Sequence, residues 1–523
     1  MTMPTLGPAF WPGDAYDRAS LPERVLLFGT GMLLRALPAA FVDAANREGR
    51  FGGRIAVVQS TTGGLAADFA AQDGLFTLVE RGAEGGQPVE RTRVVGSVSR
   101  ALVAATAWDA VRDVAASPVL RVIVSNVTEA GFRTGDDEPS AESLGTGGAP
   151  ASFPAKLADL LLTRWRRTPD APTLFVVPTE LVDDNGPRLR AMVDALTAAL
   201  PDAADFRDWL DARARFCSSL VDRITTGMPG PAPRAELQAR LGYDDALLTV
   251  TEPYALWAIE GDPDALREAF PVDAREGAQE GVVFARDIRR YRERKIRLLN
   301  GTHTATAPLA RLAGVPLVRD AMAHPALGAF IRRVLFQEIA PSVDLPADEV
   351  LAFAASVVDR FANPWLEHAW SVIVTNETAK MRLRVAPSLA AYASAPRGVP
   401  DGLALAVAAY LRHARCDAPP VDGRGTGSWR GARYEIVDAD LATVARHWFG
   451  PTGAPARLAA DVAASALADP AIWGTSLAGV PGLVNAVARW LDLIERDGVE
   501  GALAALPAAD PAALPPVLEG MPA

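Results

Sequence analysis

The sequence predicts an α/β domain, built on a parallel sheet with helices on both faces, followed by a domain that is mostly α-helical. Three observations carry this reading. Short aliphatic runs alternate with helix-patterned stretches through the first half, as in β-α-β units. The first of these runs ends in glycines, as a strand-to-helix turn requires. After about Tyr291 the strand signals fade, and Ala- and Leu-rich helical periodicity continues to the end. At 523 residues the chain is too long for a single core, and the expected domains are residues 1–285 and 286–523.

The first strand is RVLLFG (residues 24–29), followed by the periodic segment LLRALPAAFVDAANREG. Pro38 inside that segment would cost about 3 kcal/mol in a helix interior. The helix is therefore expected to start near Leu37, with Pro38 in its first turn. Further strands are RIAVVQS (54–60), LFTLVERG (75–82), VLRVIVSN (119–126) and TLFVVPTE (173–180), separated by helices such as PAKLADLLLTRWRR. Two polar, glycine-rich stretches, residues 133–152 and 417–432, read as long surface loops. In the second half PALGAFIRRVLFQEIA, LPADEVLAFAASVVDRFA and LVNAVARWLDLIERDG read as helices. No internal repeat of fixed period is visible, and the Ala- and Pro-rich end, about fifteen residues, is expected to fray.

Hydrophobic residues make up 49% and charged residues 22% of the chain, ordinary values for a soluble globular protein. A formal charge of -11 with no compensating basic block argues against nucleic acid as a partner. It leaves room for a local cationic pocket holding a small acid. Cys217 and Cys416 have neither metal-site nor disulfide spacing, which fits a reducing cytoplasm and any compartment that needs no disulfides. The N-terminus lacks the basic stretch and apolar run of a secretory signal. Apolar runs such as GLALAVAAYL (402–411) reach about half the length of a membrane span, so no membrane partner is expected.

Chemistry is first suggested by LLFGTGMLLR. Gly29 and Gly31 end a strand where close backbone approach to a pyrophosphate leaves no room for a Cβ, with Phe28, Thr30, Leu33 and Arg35 around them. The third glycine of the usual dinucleotide fingerprint is missing, and two glycines at a strand end also make an ordinary turn. At the end of the second strand an acid would select NAD and a basic residue NADP. Gln59, Ser60 and Thr61 are neither, so NADP stays open beside NAD. SNVTEAGF (125–132) ends another strand and would turn Ser125, Asn126, Thr128 and Glu129 toward a cofactor cleft. An Asn/Thr-rich turn with Glu129 in a helix's first turn explains the same residues. PTELVDDNGPRLR repeats the layout, with Glu180 at the strand end and Asn185–Gly186 as a turn signal.

RERKIRLLNGTHTA (292–305) holds a lysine, an asparagine and one of only five histidines. On a helix at about 100° per residue, with Lys295 at zero, His303 falls near about 80° and Asn300 near about 140°, within one broad arc. The plain alternative is a solvated lysine, an Asn–Gly helix C-cap and a satisfied histidine.

Taken in order, FGTGMLLR, GLFTLVERG, SNVTEAGF, SFPAKLADLL, PTELVDDNG, LVDRITTG, EPYALWAIEG, YRERKIRLLNGTHTA and NPWLEHAWSVIVTNETAKMRLRVAPSL resemble the polyol-specific long-chain dehydrogenases, the mannitol dehydrogenase family. The likeness runs from about Arg24 to Leu389 and is closest to the tagaturonate reductase (altronate oxidoreductase) branch. It implies an α/β Rossmann-type N-terminal domain, a mostly α-helical C-terminal domain, and a metal-independent NAD-linked reaction in the cleft between them. The family's K-x4-N-x2-H pattern falls on Lys295, Asn300 and His303. Reduction of a ketone leaves an alkoxide, which needs a proton donor and aimed hydrogen-bond donors. The resemblance gives the first role to Lys295, whose pKa burial is expected to lower, and the second to Asn300 and His303. A substrate carboxylate needs a cation, and Lys380 and Arg384, four residues apart, share one helical face. His368 and Asn376 precede them in the family's long C-terminal pattern. The competing reading of this pair is a solvated basic stripe.

Three departures stand out. Glu180 and Leu181 replace an Asp–Asn pair of the mannitol branch, and Arg292 replaces a glutamate three residues before the lysine. Both weigh against a polyol substrate. Met32 stands where the uronate branch has asparagine, which weighs against a strict tagaturonate assignment. The expectation is a cytoplasmic NAD-dependent oxidoreductase interconverting a keto-uronate such as tagaturonate with altronate, as a monomer or small homo-oligomer. Another dehydrogenase of the family (mannitol, arabinitol or mannonate type) is the alternative, and a non-catalytic dinucleotide sensor a remote one. No ligand spacing points to a metal.

Overall fold

The computed structural model describes residues 3–13, 15–135, 140–273, 280–393, 398–449 and 458–507. The chain divides into two compact units, Met1–Arg81 with Val89–Arg289, and Gly82–Pro88 with Arg290–Ala523.

In the first unit six strands form one parallel sheet: β1 (Glu23–Phe28), β2 (Arg54–Gln59), β3 (Val98–Val103), β4 (Val122–Ser125), β5 (Leu174–Pro178) and β6 (Ala214–Phe216). Their order is β3-β2-β1-β4-β5-β6. The chain steps outward from β1 through β2 to β3, then returns to β4 on the other side of β1. The carboxyl ends of β1 and β4 are therefore the topological switch point, where open α/β sheets bind ligands. Successive side chains point to opposite faces. Val25, Leu27, Val122 and Val124 enter one buried cluster, while Leu26, Phe28 and Ile123 enter another. A sheet buried on both faces explains why these strands are near-continuous apolar runs. The register sets Phe28 beside Ser125 and Ser125 beside Pro178, which aligns three loops at one edge.

Two details of the first unit differ from the sequence reading. LFTLVERG is a strand, Phe76–Glu84, but it joins a separate four-stranded sheet, and the third sheet position is taken by Val98–Val103. The helix after β1 starts at Met32 rather than near Leu37, running through a π-helical stretch, Arg35–Ala39, into Ala40–Arg47 with Pro38 inside. A widened π turn accepts a ring that would clash in an α-helical interior. Arg223 donates to the carbonyl of Ala36, satisfying that stretch from outside the helix.

The second unit is helix-rich, as expected. GLALAVAAYL lies in helix Asp401–His413, every residue of which from Gly402 onward is buried, as an all-round apolar helix demands. Residues 417–432 are not simply a loop. Arg424–Trp429 and Ala432–Val437 pair as an antiparallel hairpin. Its turn residues Arg430 and Gly431 have φ of 48° and 85°, the two positive values of a type I′ turn. The C-terminal end expected to fray lies outside the described residues. Among the described residues no helix is long and apolar enough to cross a membrane.

Candidate active site

The first unit carries a glycine loop at the switch point. Gly29 has φ +125°, and a Cβ there would sit 2.7 Å from Leu34 Cδ1 and 3.2 Å from the carbonyl oxygen of Asn126. Gly29 is thus needed for the turn itself. Gly31, at the N-cap of Met32–Leu34, has an ordinary φ of -68° and open space where a Cβ would be. This is the cradle a pyrophosphate requires, backbone N–H groups reachable at a helix start, and the residues present fit a dinucleotide. Phe28 packs edge-on against Phe153 at 5.1 Å in the core, and Leu33 is partly buried against the other cluster. Arg35 is buried and turned inward, donating from Nε to Thr249 Oγ1 at 2.8 Å and from Nη1 to the Thr30 carbonyl at 2.6 Å. Desolvation pulls its pKa down to about 10. Its hydrogen bond to the Thr30 carbonyl holds the loop from behind.

At β2's end Gln59 is committed internally. Its amide donates to the Thr61 carbonyl at 3.0 Å and accepts from the Ala66 N–H at 3.0 Å. Next to Gly29, the ends of β4 and β5 are tied together. Glu180 accepts from Ser125 Oγ at 3.1 Å and from the Val127 N–H at 2.8 Å, and Asn126 Nδ2 donates to Thr179 Oγ1 at 2.9 Å. Burial raises the Glu180 pKa against these hydrogen bonds. Ser125, Asn126 and Glu180 therefore form one cluster in the first unit. Leu181 beside them is 66% exposed. Glu129 lies in the short helix Thr128–Gly131, and its side chain is outside the described residues.

In the second unit Lys295 through Asn300 form a π-helical stretch that continues directly into helix Gly301–Leu312. The helix does not end at Asn300–Gly301, so Asn300 is no C-cap. The turn is widened here, and the 100° wheel does not apply across it. Single π turns inside α-helices are frequent at functional sites. Gly301 lets this junction pack closely, since a Cβ would lie 3.1 Å from the Arg384 carbonyl oxygen. Lys295, Asn300 and Arg292 are half-buried.

His303 is fully enclosed. Its ring stacks on Phe361 (4.0 Å, 22°) and meets His368 (5.1 Å) and Trp370 (6.0 Å) edge-on. Burial first, then the charges of Arg360, Arg384 and Lys380 and the ring of His368, hold its pKa well below the usual value. The imidazole is neutral at physiological pH. Its Nε2, His368 Nδ1 and Trp370 Nε1 are buried without hydrogen-bond partners. Each such orphan costs about 1–3 kcal/mol, a cost a bound oxygen would remove.

Lys380 and Arg384 are no solvated stripe. Lys380 closes helix Glu377–Lys380, Arg384 lies in the π-helical stretch Met381–Val385, and both are half-buried. Lys380 donates to the Ile373 carbonyl and Arg384 Nη1 to Thr304 Oγ1 at 3.3 Å. Burial lowers the pKa of both. Asn376 is turned elsewhere. It adopts φ 53°, and its Oδ1 accepts from the Ala439 N–H at 3.1 Å. Arg360, Glu377, Phe361 and Trp370 were not anticipated. The first two sit in VVDRFA and TNETAK, where a charged residue in a helical pattern reads as solvated. Among the described residues no three His, Cys, Asp or Glu side chains converge as a metal site.

Residues 23–268 match the mannitol dehydrogenase Rossmann domain, and residues 287–494 the mannitol dehydrogenase C-terminal domain. The chain belongs to the mannitol dehydrogenase family. It is 36% identical to an altronate oxidoreductase of Halalkalibacterium halodurans over 93% of this chain and 94% of that one. An altronate oxidoreductase of Yersinia enterocolitica is 33% identical, covering 96% and 100%. Among solved structures, Pseudomonas fluorescens mannitol 2-dehydrogenase in complex with NAD and D-mannitol is similar at TM-score 0.65 and 26% identity, over 96% of this chain and 99% of that one. The family makes this chain an oxidoreductase acting on CH–OH groups of polyols or sugar acids, with a dinucleotide cofactor.

Proposed function

We propose that this chain interconverts altronate and the keto-uronate tagaturonate with NAD(H). The observation that carries the carboxylate in this reading is the uncommon density of cations around one neutral histidine in the second unit: Lys380, Arg384 and Arg360 all bear on His303. A polyol brings no negative charge for these cations to neutralise. Relatives at 33–36% identity over nearly the whole chain are altronate oxidoreductases, which supports the same substrate class. NAD is proposed on the similarity to the mannitol 2-dehydrogenase solved with NAD, since Gln59, Ser60 and Thr61 at the end of β2 offer neither the acid nor the cation that would decide.

A bound nicotinamide would supply the hydride to the substrate's reacting carbon, or accept it in the reverse direction. Lys295, as an ammonium, gives a proton to the oxygen that becomes the hydroxyl, and in oxidation takes it back. Asn300 and the neutral His303 donate hydrogen bonds to that oxygen as charge develops. His303, held neutral, cannot compete with Lys295 as the proton source. Lys380 and Arg384 hold the carboxylate, with Arg292 and His368 as neighbours on the same unit. Gly29, Thr30, Gly31, Ser125 and Asn126 hold the dinucleotide.

The test is NADH and NADPH oxidation across keto-uronates and ketoses, with the reverse reaction on altronate, mannonate, mannitol and arabinitol. Turnover highest with tagaturonate and altronate is expected. High turnover on mannitol or arabinitol with none on altronate would replace this reading by the polyol one.

A further inference from the structure

Glu377 is the residue of the second unit for which neither fold nor mechanism yet gives a use. It is buried at 3% exposure, and both of its carboxyl oxygens lack any hydrogen-bond partner. Two cations stand within electrostatic reach, yet neither donates to it: Lys380 Nζ donates a hydrogen bond to the Ile373 carbonyl, and Arg384 Nη1 one to Thr304 Oγ1. The neighbours from other elements do not satisfy it either. Asp438, after the hairpin, is committed to the N–H and hydroxyl of Thr378, and Tyr410 of helix Asp401–His413 to the Thr378 hydroxyl.

We propose that Glu377 is a specificity-determining residue that stays a neutral carboxylic acid in the folded protein, leaving the charges of Lys380 and Arg384 uncompensated for the carboxylate of an acidic substrate. The inference rests on the sugar-acid reading above. A buried carboxyl without donors is far more stable neutral than ionised, and burial raises its pKa well above the usual value despite both cations, with Asp438 adding to the rise. Were Glu377 ionised, it would pair with the same cations and repel the incoming carboxylate. Glu377 neutral and substrate bound go together, so substrate affinity must fall as pH rises through the pKa of Glu377.

The sign follows from the raised pKa: the binding-competent acid predominates below it and is lost above it. Lys380, whose pKa burial lowers, also loses charge on the alkaline side, so wild-type behaviour alone does not decide between them. The experiment measures altronate and mannitol affinities of the NAD-loaded protein from pH 6 to 10, for wild type, Glu377→Gln and Lys380→Met. Wild type should lose altronate affinity toward alkaline pH, by up to about tenfold per pH unit, with mannitol affinity flat. Glu377→Gln, an uncharged isostere, should match wild type within about twofold at pH 6 and lose that part of the alkaline fall, while Lys380→Met binds altronate weakly at every pH. An unchanged alkaline fall in Glu377→Gln overturns this role for Glu377 and leaves the sugar-acid reading standing. Mannitol binding without altronate binding in wild type overturns both.

Discussion

Lys295 and His303 lie on one continuous helix but in opposite environments. His303 is 6% exposed and neutral, while Lys295 is half-buried on the π stretch. A proton donor must exchange protons with solvent between turnovers, whereas a hydrogen-bond donor to an alkoxide gains from exclusion of water. The assignment predicts a separable defect for Lys295→Ala. Hydride transfer in stopped flow should slow by about 10²–10⁴, the usual contribution of general acid–base catalysis, and NADH affinity by fluorescence titration should stay within about twofold. Equal loss of both would remove Lys295 from the chemistry. At this scale the sequence offers candidates where residue types are rare. A Lys/Asn/His trio in a family pattern stands out among five histidines. Glu377 and Arg360 did not stand out, because a charged residue in an amphipathic pattern looks solvated until tertiary packing closes over it.

Elements were legible where one physical rule dominates. The parallel strands are buried on two faces and read as unbroken apolar runs, so four of the six were visible. The hairpin Arg424–Val437 was hidden because RGTGSW carries two glycines and no apolar alternation, so the short alternation of ARYEIV had no recognisable partner strand before it. The signal that existed was Arg430–Gly431, a turn-compatible pair between them. The π stretches leave no mark at all, since widening one turn barely disturbs a hydrophobic stripe. The glycine loop allows a contrast between two neighbouring glycines. Gly29→Ala must place an alanine at φ +125° against Leu34 and the Asn126 carbonyl, strain of about 1–3 kcal/mol. It should lower the melting temperature and weaken NADH binding together. Gly31→Ala meets open space at an ordinary φ, so the melting temperature should hold while NADH affinity drops at least about tenfold, roughly 1.4 kcal/mol. Unaltered NADH affinity in Gly31→Ala would mean that the open space at this helix start is not where the pyrophosphate lies.

At the scale of the whole molecule, histidine is distributed unevenly between the two units. All five histidines fall after residue 290, in the second unit, and none in the first. Two of them are buried with depressed pKa values: His303, and His413, which burial and the charges of Arg311 and Arg412 bring down to about 3. His413 stacks on Tyr434 at 4.9 Å, and its Nε2 has no partner. Below the unfolded value of about 6.5 the unfolded chain takes up protons that these folded histidines refuse, so stability falls as pH falls, by about 1.4 kcal/mol per pH unit for each. In the first unit Glu23, Asp262 and Asp287 have lowered pKa values, and Glu180 and Asp245 have raised ones. For the raised pair the folded state holds the extra proton, and the same acidification is favourable. The second unit holds raised carboxyls of its own, Glu338, Asp359 and Glu377, so both signs act within it between about pH 6.5 and 5, and the histidine contribution is isolated by substitution. Calorimetry of the full chain across that range measures the net acid slope. His413→Gln removes one of the refusing groups and should flatten the acid slope of the full chain by about one proton, whatever it does to stability at pH 7. A slope unchanged by this substitution would assign the acid sensitivity to surface carboxylates instead.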